Sequence, residues 1–445
     1  MTHRIETAIL SYLSFQPAPS PHQGVLCQAS EKQWRQVLAL ADTAGLTLFL
    51  RANLKQRGDF QGLPGSIQQA LEQRFQDNVA RTEAICQELI QFNRLFQVQN
   101  IRYLNLKGQV LYPDFVNERR NRLQYDHDFL IRPEDLERTY ALFLSLGYSP
   151  LPSSSKLAVG HLPTLVRKTD WKWKGNLFDP EIPRAVELHF QLWDSKFDKI
   201  SIRSLDDVWR NSEVAAFEAV SLPVLSRQHN LLYCVLHSFR HLLRNDLRLS
   251  HLYEIGYFLH RRCENASFWT GFLKSLLSCP NSCRATATML ELARRTFGAE
   301  PEPMTTQFIN EHLSAAAALW VEEFGIRESV HCFRRSKSAL FLQLDFVEGL
   351  VGKSVVIARK LIPRHLPLSS FGVQTPAERR NRLFRSLKWL HDAGQMVRRA
   401  FFHAVTLAGL LLQLPLWTVK LRLQAKKKQS DPGERYSSVH RSAKS

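Results

Sequence analysis

Residues 123–131 read Leu-Gln-Tyr-Asp-His-Asp-Phe-Leu-Ile, and this short stretch limits the fold more than any other. Tyr125, His127 and Phe129 alternate with Asp126 and Asp128. Successive strand side chains point to opposite faces, so the two aspartates share a face about 7 Å apart along the chain. Two carboxylates placed so repel unless positive charge lies between them. A hard divalent cation with oxygen ligands resolves this, most commonly Mg²⁺ with a phosphate-bearing substrate. Arg132 and Pro133 then read as a turn into a helix over 134–146, with Pro133 in its first turn.

Two further stretches give this pair a context. Residues 101–112 read as a strand ending at Lys107-Gly108, with a helix opening at Gln109. Glycine at such a turn permits close backbone approach, a helix N-terminus favours phosphate, and Lys107 adds a point charge. Downstream, residues 185–193 put Glu187, His189 and Gln191 on one strand face and Val186, Leu188 and Phe190 on the other. With the aspartate pair, Glu187 offers the third carboxylate of a two-metal phosphoryl-transfer centre. Arg119, Arg120 and Arg122 stand just before the Asp-His-Asp strand, where they could meet phosphate. Each piece alone is equally a solvated strand edge, a basic loop or an ordinary turn. The combination carries the chemistry.

In order, Leu-Lys-Gly (106–108), Asp-His-Asp-Phe-Leu-Ile-Arg-Pro-Glu-Asp-Leu (126–136), Leu-Gly-Tyr (146–148) and Val-Glu-Leu-His (186–189) resemble the uncharacterised nucleotidyltransferases of the polymerase-β-like superfamily. The resemblance is clearest over residues 99–195 and extends more loosely from Trp34 to about residue 260. It implies an α+β polymerase-β-like core, a small mixed sheet with helices, within a largely helical chain. It implies Mg²⁺ on Asp126 and Asp128, with Glu187 as the third acidic position. The Lys107-Gly108 turn falls where the superfamily binds phosphate, and here Lys-Gly replaces the usual Gly-Ser pair. The site set is therefore Asp126, Asp128 and Glu187 for metal and catalysis, with Lys107, Gly108, Arg122 and His189 for substrate.

Composition bounds the rest. A 445-residue chain with 44% hydrophobic and 22% charged residues is globular and long enough for two or three domains. The first residues carry charge without an apolar run behind them, so no secretory signal is expected. Seven cysteines form no framework; Cys279 and Cys283 are a close pair with no second pair near, as in a reduced cytoplasmic protein. The net charge of +18 suits polyanionic partners such as nucleotides, RNA or an acidic membrane.

Residues 1–98 read as helical, with a stop near Gly45 and a long helix over 66–97. Residues 99–225 form the α/β core, in which 165–170 and 171–174 read as strands. Residues 226–300 form a helical region packing on the core, capped by Ser226; His237 and His241, four apart, read as core or surface histidines rather than a metal pair. Residues 301–419 are a further helical region with loops at 363–367 and 369–376, followed by a basic run from Arg379 to Arg399. The apolar stretch 400–419 is long enough to span a bilayer, yet it contains His403, Thr406, Gln413 and Pro415. Both of its flanks are basic, so an amphipathic helix lying on an acidic membrane through 400–428, or packed on the body, is the expectation. Residues 420–445 hold eight Lys or Arg against two acids and read as a disordered tail.

The expected function is Mg²⁺-dependent transfer of a nucleotidyl group from an NTP to a hydroxyl acceptor, whether small molecule, protein or RNA. The expected location is the cytoplasm, peripheral at the membrane. The rivals are a nucleotide-binding scaffold that has lost turnover, which the Lys-Gly departure supports, and a basic RNA-binding protein.

Overall fold

Short strands, the central two buried along nearly their whole length, build one sheet. Strands β1 (Tyr103–Leu106), β2 (Asp126–Ile131), β3 (Tyr148–Pro150), β4 (Leu165–Arg167), β5 (Ala185–His189), β6 (Glu213–Phe217) and β7 (Val220–Val224) form a seven-stranded mixed sheet in the order β3-β4-β5-β2-β1-β7-β6. The computed structural model describes residues 2–16, 25–151, 160–330, 336–361 and 382–430. Central β2 pairs antiparallel with β1 and parallel with β5, and the register sets Asp128 beside both Leu106 and Glu187. One strand thus brings together two segments that are about 80 residues apart in sequence.

Helices α1 (Thr2–Tyr12), α2 (Glu31–Ala44), α3 (Thr47–Gln56) and α4 (Gly65–Val98) precede the sheet. The Gly45 stop is real, with φ 72° at the end of α2. Helix α5 (Leu136–Ser145) follows β2, short α6 (Ser195–Asp198) follows β5, and α7 (Arg227–Arg244), α8 (Leu249–Arg261), α9 (Ala266–Leu276) and α10 (Pro280–Phe297) follow the sheet. Ser226 caps α7 by accepting from the His229 amide. The chain is therefore mixed α+β. It divides into two units, Met1–Leu313 with Gly325–Cys332, and Ser314–Phe324 with Phe333–Ser445.

One face of the sheet is dry. Phe92 and Phe96 of α4 pack on Phe129 of β2 and Phe143 of α5, together with Val186 and Leu188 of β5. Each such burial is worth about 1.5–3 kcal/mol. The same helix also ties down the strands by polar contacts. Asn93 and Asn105 exchange side-chain hydrogen bonds at 3.0 Å, and Arg81 donates to the Gln124 carbonyl at 2.7 Å. Glu88 takes two bonds from Arg184 at 2.7 Å and contacts His127 at 3.0 Å.

Several expectations need correction. No α-helix opens at Gln109; Gly108–Leu111 is a single 3₁₀ turn, so this turn presents no α-helix N-terminus to the site. Residues 171–174 are not a strand, because Trp171 turns its indole N–H to Asp179 while Trp173 stays exposed. The β6–β7 hairpin extends the sheet past β1, beyond the strands expected above. In the smaller unit one helix runs Arg382–Ser430, so 420–430 continue it instead of forming a tail. The expected loops at 363–367 and 369–376, Arg379 and Arg380, and residues 431–445 lie outside the described residues.

Candidate active site

The undried face of β2 and β5 gathers the polar groups. Asp128 and Glu187 sit side by side on parallel strands, and His189 lies two residues beyond Glu187 on the same face. Asp128 Oδ1 is 2.9 Å from His189 Nε2, and the other oxygen, Oδ2, is 3.1 Å from Lys107 Nζ. Glu187 Oε1 accepts from the Thr164 hydroxyl at 3.1 Å, while Oε2 lies 3.6 Å from His189 Nε2 and 3.9 Å from His161 Nε2. Ligand atoms of Asp128, Glu187 and His189 all lie within 4.8 Å of one another, a cluster able to hold a metal ion. Asp126 occupies the same strand face but stands outside that closest set; it acts on it by charge.

The turn after β1 is held by steric fit. Gly108 has φ 56°, and a Cβ there would meet Gln124 Nε2 at 2.7 Å, so a side chain has no room. Gln124 is itself fixed, accepting from Gln109 at 2.9 Å and donating to the Asp126 carbonyl at 2.6 Å. This clamp ties the turn to the start of the acidic strand. Lys107 pays for the geometry, with φ 47° and ψ −146°, a region that residues with side chains rarely adopt. Such a conformation costs on the order of 1–3 kcal/mol and persists where the surroundings impose it. Here they deliver the ammonium to Asp128.

The electrostatics follow from burial and neighbours. Burial alone would raise the Asp128 carboxyl; the Lys107 ammonium and the His189 contact hold it below the usual carboxylate range instead. Burial, with the negative charges of Asp128 and Asp126, pushes Glu187 up to about 8. Asp126 is raised as well, by burial and by Asp128. Burial brings His189 down to about 4, so the ring is neutral at pH 7. The set thus carries a surplus of acid that prefers to keep a proton until a cation replaces it.

Helix α7 covers the site from the other side. His237 Nε2 is 3.1 Å from Lys107 Nζ and 3.2 Å from His241 Nε2, and His241 Nδ1 is 2.9 Å from Asp246. Burial, then the Lys107 charge, holds His237 well below its ordinary range, so its lone pair accepts from the ammonium. Of the two i,i+4 histidines, His237 accepts from the lysine and His241 backs His237. Their spacing was visible in the sequence, their partner was not.

Arg122 is drawn elsewhere, donating to buried Glu254 of α8 at 2.7 Å with its own side chain 11% exposed. Arg120 pairs with Glu118, and Arg119 stacks over Tyr112 and Phe217. Of the expected substrate groups, the structure joins Lys107, Gly108 and His189 to the acids and gives Arg122 a partner of its own. Cys279 and Cys283 are free thiols, as is each of the six described cysteines.

The model of a family described as uncharacterised nucleotidyltransferase matches residues 30–298, more than half the chain. The match runs from the start of α2 to the end of α10 and so takes in every strand. No curated protein and no solved structure matches.

Proposed function

Because the chain belongs to the uncharacterised nucleotidyltransferase family, we propose that it is a Mg²⁺-dependent enzyme moving a nucleotidyl group from an NTP to a hydroxyl acceptor, on a polymerase-β-like core. The observation that carries this reading is the buried Asp128–Glu187–His189 cluster with Lys107 against it. Two adjacent carboxylates, one pushed up to about 8 for want of positive charge, fit an oxygen-seeking divalent cation. Asp128 and Glu187 would hold it, with Asp126 beside them; Mg²⁺ there supplies charge neutralisation for the phosphates. Lys107, released from Asp128, binds a phosphate oxygen, with His237 keeping it aimed. Glu187 takes the acceptor's hydroxyl proton as the acceptor oxygen bonds to the α-phosphorus and pyrophosphate leaves. Positioning and charge carry such a transfer.

A second reading rests on one contact set. Lys107 and His189 engage both oxygens of Asp128, so the protein's own groups stand at the cation position. A scaffold that binds nucleotide without turnover is built this way. Incubation of the protein with α-labelled NTPs and a cell extract separates the two. Label transferred by wild type and not by Glu187→Gln supports the enzyme. Nucleotide retained, with no label transferred and no pyrophosphate released, supports the scaffold.

A further inference from the structure

The smaller unit contains a long helix that exposes much of its apolar surface. In Arg382–Ser430, Leu410 and Trp417 point inward, and Trp417 stacks on Phe341 at 4.7 Å and 9°. Phe324 lies 6.0 Å from the same indole, and Lys420 bonds Glu323 at 2.5 Å. The other side carries Leu390, Val397, Phe401, Val405, Leu412, Leu416, Val419 and Leu423, each between 54% and 80% exposed. Their intervals of three, four and seven residues keep them on one ridge at 3.6 residues per turn. Isolated exposed leucines need no explanation, but a continuous ridge of this kind marks an interaction surface.

We propose that this ridge docks the protein flat on an anionic lipid bilayer. Charge selects the occupant. The helix holds ten Lys or Arg against one acid, Asp392, with Arg398 directly after Val397 and Arg422 directly before Leu423. Basic residues at both ends suit a helix whose two ends meet the same anionic leaflet. Among the described residues this is the one helix long and apolar enough to cross a membrane unbroken. Two features argue for lying instead. The ridge runs about 50 Å at 1.5 Å per residue, longer than a hydrocarbon core of about 30 Å, and Arg398 interrupts it. On its opposite side Trp417 is held between Phe341 and Phe324 of the same unit.

The test is co-sedimentation of the full chain with phosphatidylcholine vesicles, with and without phosphatidylglycerol. Wild type binds the anionic vesicles, and salt weakens the binding. Arg398→Gln with Arg422→Gln weakens it about thirtyfold, since each charge near the leaflet counts for about fivefold. Leu412→Glu with Leu416→Glu weakens it by about a hundredfold or more, with circular dichroism unchanged because both side chains are exposed. Equal binding to neutral and anionic vesicles, or none, overturns the proposal whether or not the variants fold. So does a self-associating wild type that Leu412→Glu turns monomeric, which assigns the ridge to a second copy. Protein from cells that resists alkaline carbonate and leaves membranes only in detergent makes the helix a span, and overturns it too.

Discussion

Asp128 and Leu412 reverse the usual rule of burial in opposite senses. The Asp128 side chain is 3% exposed, and Leu412 is 80% exposed. In the sheet unit, most of the costly buried charge is tolerated because it meets an opposite one, as Lys107 does Asp128 and Arg122 does Glu254; Glu187 and Asp126 are the acids left over. In the C-terminal helix, costly exposed apolar surface has no such compensation among the described residues. Stability alone favours neither arrangement. The first points inward to a small ligand, the second outward to a large one.

The comparison predicts that the sheet unit is sensitive to single polar changes. Glu187→Gln has the largest expected effect, about 10²–10³-fold in transfer, because it removes a charged ligand and base while keeping the shape of the protonated side chain. Its pH behaviour is distinctive. With the folded carboxyl at about 8 and the unfolded one near 4.5, the folded state holds the extra proton between those values. Metal-free wild type therefore loses stability as pH rises from about 4.5 to about 8, and Glu187→Gln flattens that slope in denaturant titrations. A parallel slope in both proteins breaks the assignment.

Glu88 gives the next effect, with the opposite sign. Burial alone would raise it, but His127 and Arg184 hold it down at about 2 against an ordinary 4.5. Its contribution is present above about pH 4.5 and is lost as pH falls toward 2. Glu88→Gln should cost about 2–3 kcal/mol at pH 7, read from urea midpoints, and nothing near pH 2.

Lys107 separates strain from chemistry. Glycine adopts φ 47° freely and alanine does not, so Lys107→Gly should be more stable than Lys107→Ala by about 1 kcal/mol or more. Both variants should be equally poor in transfer. Equal melting temperatures would mean that the turn relaxes and stores no strain. The smallest effect belongs to the other region: Leu412→Glu should move stability by less than about 0.5 kcal/mol, since nothing is packed on that side chain.

The sequence was most informative where period two was strict. Asp126–Ile131 and Ala185–His189 were both legible as strands with their acids on one face, because His127, Phe129, Val186 and Leu188 had to enter the core. Their adjacency came from the family resemblance, since register between strands so far apart leaves no local mark. The turn at Lys107 was located, but its 3₁₀ geometry was not, because a helix and a single tight turn share the same first residues. Arg122 looked free to bind phosphate only because Glu254, 132 residues away, could not be placed beside it. His237 carried a spacing without a reason until Lys107 supplied one.

If Asp128 and Glu187 form a cation site serving a nucleotide, the cation itself should report their protonation. Mn²⁺ binding, followed by water proton relaxation with and without NTP from pH 6 to 9, tests it most directly. Affinity should rise with pH, by up to about tenfold per unit, and level off above about 8 as Glu187 loses its proton. NTP should tighten it further, and Glu187→Gln should abolish the pH dependence. Weak binding that is indifferent to pH, to NTP and to Glu187→Gln would mean that these carboxylates hold no cation.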